Sequence, residues 1–81
     1  MTGEREYAKE FGRALRQLRR ARRLTQEELA ESAEVTTEYI SRIERGLTKS
    51  PPSWGVLSRL ARALKIEVVA HDHSWTIRLA A

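Results

Sequence analysis

Cysteine is absent from this sequence. That excludes disulfides and every zinc site built on cysteine pairs, so 81 residues must be held by their own core or by a partner's surface. Long apolar runs are also missing: nothing approaches the roughly 20 residues that span a bilayer. The opening MTGEREYAKE is polar and charged rather than a targeting segment. The expectation is a cytoplasmic protein with no membrane partner. There is no glycine-rich phosphate loop and no carboxylate pair placed for acid-base work, so no catalytic residue is expected. His71, Asp72 and His73 are the one run that suggests metal. Three consecutive polar residues between apolar segments fit a turn better, and neither metal nor cofactor is expected.

What the chain does have is positive charge, +4 net, carried mostly by arginine. A basic balance favours a polyanionic partner only loosely, so the arrangement of the charges must decide. Phe11, Leu15 and Leu18 recur at i, i+4 and i+7 with Ala8 and Ala14 beside them, which predicts an amphipathic helix over roughly Glu6 to Arg22. Its remaining arginines, Arg13, Arg16, Arg19, Arg20, Arg22 and Arg23, suit a solvated face near a helix C-terminus.

Thr25 followed by Glu28 is a capping box, with Leu24 and Leu29 at the staple positions, and a second helix runs from there to about Ala33. Thr36 caps a third helix, with Val35 set to staple onto Ile40, and Gly46 is a natural left-handed stop. LTKSPP is a loop, and Ser53 caps a fourth helix carrying Leu57, Leu60, Ala61 and Leu64. Beyond Lys65 the period drops to two. Ile66, Val68 and Ala70 alternate with their neighbours, as do Trp75, Ile77 and Leu79, and two strands joined by a turn are predicted.

Two short capped helices joined by a sharp turn form a helix-turn-helix unit over residues 25–46, whose second helix enters the DNA major groove. The joint pattern of Leu29, Ala30, Ala33, Val35, Ile40 and Ile43 is far more specific than any one of its members. The segment TQEELAESAEVTTEYISRIERG resembles the lambda-repressor-like, Cro-type (XRE) helix-turn-helix family, and the likeness runs from about Phe11 to Leu64. The family's L-T-Q-E-E-L-A opening, its I-S-x-I-E-x-G helix and its following P-S…L-x-x-L-A-x-A-L helix all stand here. Glu34 and Arg23 occupy positions where the family usually has glycine. If both keep a left-handed backbone, each costs about 1 kcal/mol relative to glycine.

The resemblance implies roles for particular residues. Thr37, Glu38 and Arg42 match base-reading positions, and the chemistry fits: Arg42 for guanine O6 and N7, Glu38 for cytosine N4, a threonine methyl for thymine. An intrahelical Glu38–Arg42 pair is the alternative, and Glu38 also suits exclusion of wrong sequences. Gln26, at the start of the second helix, matches the family's phosphate clamp. Thr36, Tyr39, Ser41, Thr48 and Lys49 are placed to reach backbone oxygens, with packing a competing role for Tyr39. Arg19 and Glu44 match a buried ion pair that ties the first helix to the third.

The expected fold is mainly α: a four-helix lambda-repressor-like domain over residues 1–65, followed by a β-type tail over 66–81 used in dimerisation, as a hairpin or a swapped strand. A lone hairpin is marginal in water, and its unpaired edges invite another chain. Ile66, Val68, Trp75, Ile77 and Leu79 are the candidate dimer residues. This layout is weakly similar to HipB-type antitoxins. The expected function is a homodimeric, sequence-specific regulator of double-stranded DNA, in the sense of a repressor. Two alternatives stay open: an antitoxin that neutralises a toxin protein and regulates its own operon, and a phage or plasmid accessory protein making protein contacts alone.

Overall fold

A computed structural model describes the backbone of residues 3–70 and 75–79, and side chains over residues 6–66. Four helices come first: α1 (Gly3–Ala21), α2 (Gln26–Ala33), α3 (Thr37–Glu44) and α4 (Trp54–Leu64). Two strands follow, β1 (Ile66–Ala70) and β2 (Trp75–Leu79), paired antiparallel with Ile66 opposite Leu79, Val68 opposite Ile77 and Ala70 opposite Trp75. Helix α1 begins at Gly3, three residues ahead of the Glu6 start predicted from the sequence. His71, Asp72 and His73 lie outside the described residues.

The starts of α2, α3 and α4 are built as the sequence implies. The Thr25 hydroxyl accepts the Glu28 N–H at 3.0 Å while the Glu28 carboxylate accepts the Thr25 N–H at 2.8 Å, satisfying two orphan donors reciprocally. Thr36 caps α3 through the Tyr39 N–H, and Ser53 caps α4 through the Val56 N–H.

The helix ends share one device. Arg23, Glu34, Gly46 and Lys65 all take positive φ, at 58°, 58°, 72° and 54°. At the first three ends, the next residue's N–H reaches back to a carbonyl five positions earlier: Leu24 to Arg19, Val35 to Ala30, Leu47 to Arg42. An apolar residue follows each left-handed one, and Ile66 after Lys65 is buried. Only Gly46 takes this conformation without Cβ strain.

The core gathers Phe11 and Leu15 of α1, Leu29, Ala30 and Ala33 of α2, Ile40 and Ile43 of α3, Leu57, Leu60 and Leu64 of α4, and Ile66. Ile66, expected at a subunit interface, therefore belongs to the protomer's own core, because β1 starts directly against α4. Strand β2 runs beside α1, so the strand pair is docked on the helices rather than extended from them. Side chains of Val68, Trp75, Ile77 and Leu79 lie outside the described set.

Gly12 explains how α1 and α3 approach so closely. A Cβ there would sit 2.2 Å from the Ile43 carbonyl oxygen and 2.9 Å from that of Glu44. Nothing local to Gly12 marks it for this role; its signal is that Gly12, Arg16 and Arg19 fall at i, i+4 and i+7, one stripe facing α3.

Candidate nucleic-acid interface

Helix α3 buries Ile40, Ile43 and Glu44 and turns its other side outward. Thr36, Thr37, Glu38 and Arg42 are exposed, while Tyr39 and Ser41 are half-buried. Among the described residues no ion pair joins Glu38 to Arg42, so the guanidinium and carboxylate both face solvent with their hydrogen-bonding capacity unspent. Thr36 is divided in role: its oxygen accepts the capping bond at 3.0 Å, and its hydroxyl proton remains for an outside acceptor. Tyr39 packs against the core, and burial raises its phenol above the ordinary tyrosine range. The packing role weighed from the sequence is therefore filled, and the hydroxyl stays protonated at neutral pH. Lys49 is exposed and Thr48 half-buried in the loop that follows.

Behind this surface sits one carboxylate. The Glu44 side chain is fully buried. Its Oε2 accepts Arg19 Nε at 2.5 Å, and its Oε1 accepts Arg19 Nη2 at 3.0 Å, a two-pronged pairing. Arg19 also donates through Nη1 to the Leu24 carbonyl at 2.8 Å, so it clamps the α1–α2 junction to α3. Two further donors reach Oε1: Gln26 Nε2 at 3.1 Å and Arg16 Nε at 3.3 Å. Burial pushes the Glu44 carboxyl up, but hydrogen bonds from Arg19, Gln26 and Arg16 and the Arg19 charge outweigh it, and the net shift is downward. The Arg19 guanidinium moves up in turn, chiefly through its bond to Glu44. Both groups are charged, and α3 is fixed to α1 through them.

Gln26, matched by resemblance to a phosphate clamp, thus has its amide nitrogen turned inward onto Glu44 in the free protein. Two other arginines read as a solvated face or left unassigned also act architecturally. Arg22 Nε donates to the Leu64 carbonyl at 2.7 Å and its Nη2 to that of Lys65 at 3.0 Å, pinning the end of α4 to α1. Arg59 Nε donates to the Ala33 carbonyl at 2.7 Å, closing the end of α2. No local pattern marks either residue, since each partner lies more than 25 positions away in the chain.

No helix among the described residues is long and apolar enough to cross a membrane, and no cluster of His, Asp or Glu there has a metal-binding arrangement.

Known proteins share both sequence and fold. The family described as a helix-turn-helix domain matches residues 10–73. The uncharacterised HTH-type transcriptional regulator RghRB of Bacillus subtilis is 41% identical over 56 residues, 69% of this chain and 40% of RghRB. Rv0474 of Mycobacterium tuberculosis, also an uncharacterised HTH-type transcriptional regulator, is 40% identical over 55 residues, 68% of this chain and 38% of its own. The chain therefore spans about two fifths of these relatives' length. Among solved structures, the restriction-modification controller protein C.AhdI of Aeromonas hydrophila superposes with a TM-score of 0.68 at 38% identity, covering 74% of this chain and 88% of that one. The clp gene regulator ClgR of Corynebacterium glutamicum gives 0.66 at 34%, covering 72% and 60%. With its sharp α2–α3 turn, its buried Arg19–Glu44 tie and these relatives, the chain belongs to the Cro/XRE-type helix-turn-helix family.

Proposed function

We propose that the chain is a sequence-specific, double-stranded DNA-binding transcriptional regulator that inserts α3 into the major groove. The observation that carries this is the outer face of α3: Thr37, Glu38 and Arg42 are exposed on a helix that the Arg19–Glu44 pair ties to α1. An α-helix of about 10–12 Å diameter fits a major groove of about 12 Å. Arg42 reads guanine; Glu38 accepts from cytosine N4 or penalises sites that lack it. Thr36, Tyr39, Ser41, Thr48, Lys49 and Gln26 surround that face and serve the phosphates. Occupying the groove is enough to exclude a competing protein, so repression is the mode that binding alone can deliver.

One recognition helix covers a few base pairs, which favours a homodimer on an inverted repeat with half-site centres about 34 Å apart. The β1–β2 pair supports this, since a two-stranded sheet has two outer edges and the second subunit's strands can extend it. Selection of sites from random duplex DNA, followed by binding of Arg42→Ala and Lys49→Ala, is the test. Arg42→Ala should lose about 1–3 kcal/mol on the selected site and relax preference at one base pair. Lys49→Ala should weaken all sequences alike and flatten the salt dependence. Equal losses for Arg42→Ala on selected and random DNA would remove it from the base readers. Sedimentation of a chain ending at Ile66, which keeps that core residue, tests the dimer; a truncated chain that still dimerises would reject the tail as interface. Purification together with a second polypeptide would instead favour the antitoxin reading.

A further inference from the structure

Glu44 Oε1 is oversubscribed. A carboxylate oxygen offers two lone-pair directions, yet Arg19 Nη2, Gln26 Nε2 and Arg16 Nε converge on this one at 3.0, 3.1 and 3.3 Å. Arg19 is held elsewhere as well, by Oε2 and the Leu24 carbonyl, and cannot leave. Gln26 and Arg16 therefore share what remains. They differ in position: Gln26 opens α2, whose first N–H groups form an anion-receptive end, while Arg16 lies on α1 with its side chain 38% exposed.

We propose that Arg16 is a positioning residue for phosphate binding: it is the reserve donor that lets the Gln26 amide leave Glu44 and turn to a DNA phosphate. In the free protein both donors share Oε1, and Arg16 has the longer bond. When a phosphate approaches the start of α2, the Gln26 amide swings outward and Arg16 closes on the vacated direction. The buried carboxylate is then never short of a partner, so releasing Gln26 costs little. Without a donor at position 16, Gln26 is the only group besides Arg19 that satisfies Oε1 and is held back from the DNA. The inference rests on the DNA-binding reading above and adds a residue to it that neither the α3 pattern nor the family resemblance singled out.

Loss of the Arg16 charge would weaken DNA binding by itself, so the test compares two neutral variants. Arg16→Gln keeps a donor and Arg16→Met keeps only the aliphatic stem; both leave the core untouched, and unfolding curves verify that each is folded. Affinity for random-sequence duplex is measured for both, in the Gln26 and Gln26→Ala backgrounds. Arg16→Met should bind about fivefold more weakly than Arg16→Gln when Gln26 is present, the loss of about one ordinary hydrogen bond. That ratio should fall to about one in the Gln26→Ala background, as expected for coupled residues. In NMR spectra, the Gln26 side-chain amide of the unsubstituted protein should shift on adding duplex, and shift less in Arg16→Met. A ratio that persists unchanged in Gln26→Ala means that Arg16 acts on DNA directly and overturns the inference while the DNA-binding reading stands. Equal affinities in both backgrounds overturn it too. If the unsubstituted protein binds no duplex, the fault lies with the DNA-binding reading, and the inference falls with it.

Discussion

Replacing Glu44 by alanine should come close to unfolding the protein. The carboxylate is fully buried and accepts four N–H bonds. Its loss affects the donors unequally. Arg16 is partly exposed and Gln26 half-buried, so both recover water at little cost. Arg19 has a side chain only 10% exposed and keeps just the Leu24 carbonyl, which leaves its Nε and Nη2 unpaired in the interior. Stranding a buried charge costs about 3–5 kcal/mol, against a total stability of about 4–12 kcal/mol for a domain of this length. Arg19→Ala should cost less, because Glu44 then retains Arg16 and Gln26. The double substitution strands nothing and should fall short of the sum by about 1–3 kcal/mol. Urea unfolding of the four proteins, followed by circular dichroism, measures all of these quantities, with Glu44→Gln as a milder substitute if Glu44→Ala does not fold. Strict additivity would refute the coupling. An Arg19→Ala cost equal to that of Glu44→Ala would show that Arg16 and Gln26 give no compensation.

Gly12→Ala should destabilise by about 1–3 kcal/mol despite the better helix propensity of alanine, because the added Cβ meets backbone oxygens that cannot rotate away; a stabilised variant in thermal melts would show that α1 and α3 can part freely. Glu34→Gly and Arg23→Gly should each stabilise by about 1 kcal/mol by relieving a left-handed residue, and unchanged melting temperatures would argue against strain at these ends. The Glu44 carboxyl titrates below its unfolded value, so its stabilisation is complete above the ordinary carboxylate range near about pH 4.3 and is lost as pH falls through the depressed folded value. Thermal stability should therefore drop steeply in acid, with a shallower drop in Glu44→Gln.

The sequence by itself determined where α2, α3 and α4 start. Thr25, Thr36 and Ser53 cap because a side-chain oxygen can reach an N–H only three residues on, a local matter. The period of Phe11, Leu15, Leu57, Leu60 and Leu64 marked the faces that are buried. Thr37, Glu38 and Arg42 were legible as an outward face because nothing apolar interrupts them. The left-handed ends at Arg23 and Glu34 were readable only through the resemblance, and Lys65 was not anticipated, since arginine, glutamate and lysine carry no local preference for positive φ.

Apart from the Arg19–Glu44 pair, which the resemblance implies, only tertiary structure decided the partners of the arginines. Arg13, Arg16, Arg19, Arg20, Arg22 and Arg23 look alike along the chain, yet Arg19 is buried on Glu44, Arg16 shares that carboxylate, and Arg22 grips the end of α4. Their partners lie between 25 and 43 residues away, so the helix packing sorts them, not the local pattern. The same holds for Gly12, where only the approach of α3 gives the missing side chain a meaning. The alternation beyond Lys65 places Ile66 in the tail, yet its side chain is buried in the core, because a strand's first residue takes its surroundings from the helix it follows. Periodicity reports which face turns inward; what waits on that side is set by the other elements.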